Sequence, residues 1–103
     1  IEIQELAFNM VEKYSKHLDF ELQKYLGDIL SDNLEGEEFI IFMESLLEKY
    51  PLKGMLFSLV RIYDEMGQQN EALLKVESWL KKYPQDQELQ MLYDYLIDKN
   101  SFQ

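Results

Sequence analysis

The stretch of residues 56–84 constrains the fold of this chain more than any other part of its sequence. Apolar residues recur at intervals of three or four on both sides of Gly67, which is the spacing of two amphipathic helices. Glycine accepts the left-handed backbone conformation that ends many helices, so Gly67 indicates a turn between them. Pro84 removes an amide donor and ends the second helix. The stretch therefore predicts a helical hairpin.

The hairpin pattern occurs twice in succession. With a shift of 33 residues, Leu59 falls on Leu26 and Pro84 falls on Pro51. Further matched pairs are Tyr63 with Leu30, Val76 with Met43, and Trp79 with Leu46. A period of this length is that of a supersecondary unit that stacks on its neighbours. The sequence thus predicts two successive hairpins.

The two hairpins resemble the tetratricopeptide repeat, residues 53–86 closely and residues 20–52 in a more divergent form. The first range supplies Leu56, Leu59, Tyr63, Gly67, Ala72 and Pro84, and the second supplies Leu26, Gly27, Leu30 and Pro51. The resemblance implies a right-handed superhelical stack of antiparallel helical hairpins, an α-solenoid. We expect the small residues to let the two helices of one hairpin pack closely.

The chain is predicted to form a single all-α domain of about six helices over residues 1–103. Leu, Glu, Lys and Gln are abundant, and these residues favour helices. The predicted elements are a helix at 1–16, a hairpin at 20–50, a hairpin at 53–83 and a capping helix at 86–98. The first helix carries an apolar stripe of Ile3, Leu6, Ala7, Met10, Val11 and Tyr14, and residues 31–33 predict the turn of the first hairpin. Because the chain begins with Ile, we expect it to be a fragment of a longer protein.

The chain is acidic, with a net charge of −10 from 20 Asp and Glu against 10 Lys and Arg. This charge argues against nucleic acid as a partner, because binding to phosphates needs a cationic surface. It is compatible with a basic protein or peptide partner, and solubility alone is the alternative explanation. The absence of Cys excludes disulfides and thiolate metal sites. No apolar run reaches the roughly 18 residues of a membrane span, so direct membrane insertion is not expected. The compartment stays open, with the cytoplasm favoured.

Residues with catalytic potential do not form a recognisable motif. His17 is the only His, and nothing in the sequence orients it toward a Ser and an Asp as a catalytic triad requires. Acidic neighbours such as Glu37 and Glu38 point to different faces of a helix, so they do not make a carboxylate pair. We therefore expect no enzymatic activity and no cofactor or metal site.

The resemblance implies a peptide-binding groove lined by the first helices of successive hairpins. The implied groove positions are Lys24, Asp28, Phe57, Arg61 and Asp64, and the sixth helix adds Met91 and Tyr95. Phe57, Arg61 and Asp64 are spaced i, i+4 and i+7, so they share one helix face. An exposed Phe beside an Arg is typical of interface hot spots. The alternative is that Phe57 packs against the second helix.

The predicted function is that of a non-catalytic protein–protein interaction module, which binds a peptide or protein segment in this groove. A first alternative is a structural scaffold or homo-oligomerisation segment of a larger solenoid, in which helix 1 or helix 6 carries the contact. A second alternative is a regulatory or accessory domain of an enzyme whose catalytic part lies elsewhere in the parent chain.

Overall fold

The computed structural model describes residues 2–101, with side chains from 3 to 99, and every regular element in this part of the chain is helical. The helices are α1 (Glu2–Tyr14), α2 (Phe20–Asn33), α3 (Gly36–Lys49), α4 (Lys53–Glu65), α5 (Gln69–Lys82) and α6 (Gln87–Ser101), and a short 3-10 helix (Ser15–His17) follows α1. The predicted all-α class is confirmed.

The chain divides into two compact units, Ile1–Ile62 and Tyr63–Gln103, and the division falls inside α4. In the first unit, α1 packs against α2 and α2 packs against α3. In the second unit, α5 packs against α6. The sequence predicts one domain over the whole length, and the two units are described separately below.

Side-chain and backbone caps set several of the helix ends. The carboxylate of Asp19 accepts the amide hydrogen of Leu22 at 2.9 Å at the start of α2, as expected of an aspartate at this position. After α4, Gly67 has a φ of 76°. Its amide donates to the Asp64 carbonyl at 3.0 Å, and the amide of Gln68 donates to the Tyr63 carbonyl at 2.8 Å. These two bonds form a Schellman motif, which confirms the predicted role of Gly67.

The turn of the first hairpin differs from the prediction. Helix α2 continues through residues 31–33, and the link to α3 is formed by Leu34 and Glu35. The Ser31 hydroxyl donates to the Asp28 carbonyl at 2.8 Å, and the Asn33 amide donates to the Ile29 carbonyl at 2.7 Å. Residues with short polar side chains often signal a turn, but here those side chains bond back to helix carbonyls and the helix persists.

The core of the first unit takes side chains from each of its helices. The buried apolar ones are Ala7 and Val11 of α1, Leu30 of α2, Phe39, Met43, Leu46 and Leu47 of α3, Leu52 just before α4, and Met55, Leu56, Leu59, Val60 and Ile62 of α4. The predicted α1 stripe is only partly buried, because Leu6, Met10 and Tyr14 are exposed. In the second unit the buried apolar side chains are Tyr63, Ala72, Val76, Leu89 and Leu96.

Helices α2 and α4 run side by side in the same direction. Gln23 of α2 accepts the amide hydrogen of Gly54 at 2.7 Å, and one turn further along α2 Gly27 faces Ser58. A Cβ added to Gly27 would lie 2.7 Å from Cβ of Ser58, and one added to Gly54 would lie 2.5 Å from the carbonyl oxygen of Phe20. The two glycines therefore permit the close approach of α2 and α4.

This contact corrects the expected role of the small residues. Gly27 was expected to bring together the two helices of its own hairpin. Its nearest neighbour outside its own helix is instead Ser58 of α4, 31 positions further along the chain. The glycine thus serves the contact between successive hairpins of the sequence repeat.

Candidate functional site

Four of the predicted groove residues lie together in the first unit. Lys24 and Asp28 are on α2, and Phe57 and Arg61 are on α4, the helix that runs parallel to it. With Phe20, which contacts Phe57, these residues form what we call the α2–α4 face. The sequence-based choice of Lys24, Asp28, Phe57 and Arg61 thus selects residues on two neighbouring helices.

An aromatic pair occupies one end of the α2–α4 face. The rings of Phe20 and Phe57 meet edge to face, with their centroids 5.2 Å apart and an interplanar angle of 86°. Nζ of Lys24 lies 5.0 Å from the centroid of the Phe20 ring, and Nζ of Lys53 lies 5.4 Å from it. Both rings remain half-buried. Phe57 therefore packs against α2 and still presents part of its ring at the surface.

A hydrogen-bonded network occupies the other end of the face. Nη2 of Arg61 donates to Oδ1 of Asp28 at 3.2 Å and to Oγ of Ser31 at 2.9 Å. The hydroxyl of Ser58, which is buried, donates to the same Asp28 oxygen at 3.3 Å. The network fixes the direction of the Arg61 side chain, whose exposed fraction is 45%.

Sequence reasoning misses four residues of this site, namely Phe20, Ser31, Lys53 and Ser58. Phe20 lies one helical turn before Lys24, so an extension of the predicted row by one turn would have included it. The two serines carry no such signal, because their roles depend on the register between α2 and α4.

The other three predicted residues lie in the second unit. Met91 and Tyr95 are exposed on α6. The side chain of Asp64 is only 14% exposed, and its Oδ2 accepts a hydrogen bond from Nζ of Lys99. This bond raises the pKa of Lys99 above its usual value. Because Asp64 is mostly buried and already paired, little of its carboxylate can reach a partner.

The second unit also contains a cleft that the sequence does not predict. It has a volume of about 390 Å³ and is lined by Glu77, Leu80, Lys81 and Tyr93. The Tyr93 hydroxyl donates to Oε2 of Glu77 at 3.3 Å. Burial of the phenol, and next the Glu77 carboxylate, raise the pKa of Tyr93 above its usual value. The cleft therefore favours the neutral, hydrogen-bonded form of this side chain.

No cluster of three or more His, Cys, Asp or Glu side chains suited to a metal ion occurs among the described residues. His17 is exposed in the 3-10 helix after α1. Within residues 2–101, no helix combines the length and the apolar character needed to cross a membrane.

Comparisons of the chain with models of protein families, with curated proteins and with solved structures each gave no significant match.

Proposed function

We propose that this chain is a non-catalytic protein–protein interaction module that binds a peptide or protein segment on the α2–α4 face. The observation that carries the proposal is the half-buried Phe20–Phe57 pair, with Nζ of Lys24 and of Lys53 over the Phe20 ring. Aromatic and cationic side chains that are partly exposed offer apolar area and charge to the same ligand. Aromatic residues and arginine are enriched at interfaces, and residues of these types carry much of the binding energy.

The contacts that the side chains of the face already make with one another favour the same function. The Arg61 guanidinium is held by Asp28 and Ser31, and the Phe57 ring is held by Phe20. A side chain that is already ordered loses less conformational entropy when a partner binds. The close approach of α2 and α4 at Gly27 and Gly54 orders the backbone beneath these side chains.

We further propose that the helices form a right-handed superhelical stack similar to the tetratricopeptide repeat. This proposal is supported by the parallel course of α2 and α4 in the first unit. The hydrogen bonds between these helices join residues 30 to 33 positions apart, close to the 33-residue period of the sequence repeat. In such a stack, parallel first helices present a continuous surface to a bound segment.

The charge of the chain bears on the kind of segment that binds. A net charge of −10 attracts basic molecules over distances of about 8–10 Å at moderate ionic strength. We propose a peptide or protein segment that has an apolar anchor for the Phe20–Phe57 pair, an acidic group beside that anchor for Lys24, Lys53 and Arg61, and basic residues elsewhere along its length. Such a segment would associate faster at low salt than at high salt.

The test is selection of random peptides displayed on phage against the immobilised 103-residue chain, followed by calorimetric titration of the selected peptides. We expect Phe57→Ala or Arg61→Glu to weaken binding at least tenfold, about 1.4 kcal/mol. Helicity and the melting temperature of both variants should stay near those of the unchanged chain, because Phe57 is only half-buried and Arg61 is exposed.

The matched control is Leu74→Ala, which removes an exposed apolar side chain from α5 in the second unit. It should leave peptide affinity unchanged. The assignment of the α2–α4 face is wrong if the selected peptides bind Phe57→Ala and Arg61→Glu as tightly as they bind the unchanged chain. Failure to select any peptide would argue against a peptide-binding function altogether.

A further inference from the structure

The cleft of the second unit, which we call the α5–α6 cleft, joins side chains of different chemistry. Glu77, Leu80 and Lys81 line it from α5, and Tyr93 lines it from α6. Its volume of about 390 Å³ lies toward the lower end of the range of roughly 300–1,000 Å³ that is usual for ligand sites. The cleft therefore has room for one long side chain rather than for a folded element.

Glu77 is the acidic group of the cleft and is half-buried. Its Oε2 accepts the hydroxyl hydrogen of Tyr93 at 3.3 Å. Lys81 lies four residues after Glu77 on the same helix, a spacing at which opposite charges often pair. In the part of the chain that the structure describes, Glu77 nevertheless forms no ion pair with Lys81. Because an ionised carboxylate has several acceptor positions, Glu77 can also bind a cationic donor.

The phenol end of the α5–α6 cleft has a negative electrostatic environment. Burial raises the pKa of Tyr93 most, followed by the charge and the hydrogen bond of Glu77 and by the charge of Asp94. A neighbouring ammonium group lowers the pKa of a phenol, and Lys81, whose side chain is exposed, has no such effect here. This end of the cleft is therefore suited to a positive charge.

The apolar walls of the cleft indicate which kind of cation fits. Leu80 and Tyr93 are both half-buried, so each presents apolar surface to a ligand. An arginine side chain has an aliphatic stem for such walls, a planar group that binds a carboxylate through two hydrogen bonds, and a face that stacks on aromatic rings. A guanidinium is also more weakly hydrated than an ammonium group, so it loses less when water is displaced. Arginine thus matches the cleft better than lysine does.

We propose that the α5–α6 cleft binds an arginine side chain of a partner protein or peptide, with the guanidinium on the carboxylate of Glu77 and the stem along Leu80 and Tyr93. The net charge of −10 attracts such a basic partner to the chain. The cleft and the α2–α4 face belong to different units, and the inference does not depend on peptide binding to that face.

The test is a titration of the ¹⁵N-labelled 103-residue chain, followed by NMR, with arginine blocked as its N-acetyl methylamide. Blocked citrulline is the matched ligand, because it keeps the shape of arginine and carries a neutral urea group in place of the guanidinium. We expect blocked arginine to shift the amide signals of the four lining residues, with a dissociation constant on the order of 1 mM. Blocked citrulline should bind at least tenfold more weakly, since it lacks the charge.

Charge variants test whether Glu77 is the acceptor. Glu77→Gln keeps an oxygen for the Tyr93 hydroxyl but removes the charge, so it should weaken the binding of blocked arginine at least tenfold. The control Glu71→Gln removes the same charge from an exposed position of α5 and should leave the affinity unchanged. Lys81→Gln removes a like charge from the cleft and should strengthen binding. Amide signals outside the cleft would establish that each variant keeps its fold.

A peptide of five residues with a central arginine and four alanines tests the source of the cation. It should bind at least as tightly as blocked arginine, whereas tighter binding of butylguanidinium would assign the cleft to a free small molecule and overturn the choice of a protein partner. Equal binding of blocked arginine and citrulline, or equal effects of Glu77→Gln and Glu71→Gln, would overturn the inference as a whole. Weaker binding by Lys81→Gln would overturn it too, because the cleft would then hold an anionic group.

Discussion

Arg61 of α4 binds the carboxylate of Asp28 on α2, with 3.2 Å between Nη2 and Oδ1, across 33 positions of the sequence. The separation equals the period by which the two hairpins superpose in the sequence. The Ser58 hydroxyl donates to the same carboxylate oxygen. One carboxylate oxygen, Oδ1 of Asp28, therefore links equivalent helices of the two repeats through two hydrogen bonds.

We predict that this ion pair contributes only modestly to the free energy of unfolding. The side chains of Arg61 and Asp28 are 45% and 57% exposed, and pairs with this exposure contribute about 0.2–1 kcal/mol because water screens them. Asp28→Ala should destabilise more than Arg61→Ala, since it also removes the acceptor of the buried Ser58 hydroxyl. A double-mutant cycle measured by urea unfolding gives the coupling energy. A coupling above about 2 kcal/mol would contradict a solvent-screened pair.

Two glycines should respond to substitution for different physical reasons. Gly54→Ala places a Cβ 2.5 Å from the Phe20 carbonyl oxygen, so α2 and α4 must separate. We expect a loss of about 1–3 kcal/mol in the free energy of unfolding, as for other overpacked sites. Gly67→Ala meets no atom within 4 Å but keeps a φ of 76°. The left-handed conformation alone should cost about 1–2 kcal/mol.

Chemical denaturation distinguishes the two glycine effects when Asn is compared with Ala at each position. Gly67→Asn should be less harmful than Gly67→Ala, because Asn tolerates the left-handed region. Gly54→Asn should be more harmful than Gly54→Ala, because its side chain is larger. Equal rankings at the two positions would show that a single mechanism governs both.

The stability of the chain should fall as the pH rises through the alkaline range. The folded state raises the pKa of Tyr93 above 10.0 and that of Lys99 above 10.5. The unfolded chain therefore loses these protons at lower pH than the folded chain does. The stabilisation is complete below the unfolded values, begins to fall near pH 10 and is lost above the folded ones.

Unfolding curves at successive pH values would test this expectation, with the double variant Tyr93→Phe and Lys99→Met as the comparison. The double variant lacks both titrating groups, so its stability should fall less steeply above pH 10. The same pH dependence in both proteins would show that neither Tyr93 nor Lys99 carries the effect.

The helices could be predicted from the sequence because the signals that define them are local. Asp19 and Gly67 act through bonds to residues within five positions, and the apolar periodicity of α3 and α4 matches their buried side chains. The exposure of Leu6 and Tyr14 could not be predicted in this way. An amphipathic stripe identifies an apolar face, but it does not tell whether another element covers that face.

The candidate site also contains residues that local sequence signals predict and contacts that they do not predict. Lys24, Asp28, Phe57 and Arg61 could be chosen from helix periodicity and the repeat, and they lie on neighbouring helices. The burial of Asp64 against Lys99 depends on a side chain 35 positions away. Contacts of that kind are set by tertiary packing, which the spacing of residues within one helix does not encode.

The close approach of α2 and α4 makes substitutions at facing positions epistatic. A Cβ added at Gly27 would come closer than 3.0 Å only to side-chain atoms of Ser58. Gly27→Ala should thus be tolerated better when residue 58 is already glycine, so the effect of each change depends on the other. Gly54 faces the carbonyl oxygen of Phe20, and no side-chain replacement can remove a backbone atom. A side chain at position 54 should therefore cost stability whatever its neighbours are, whereas the cost at position 27 depends on which residue stands at position 58.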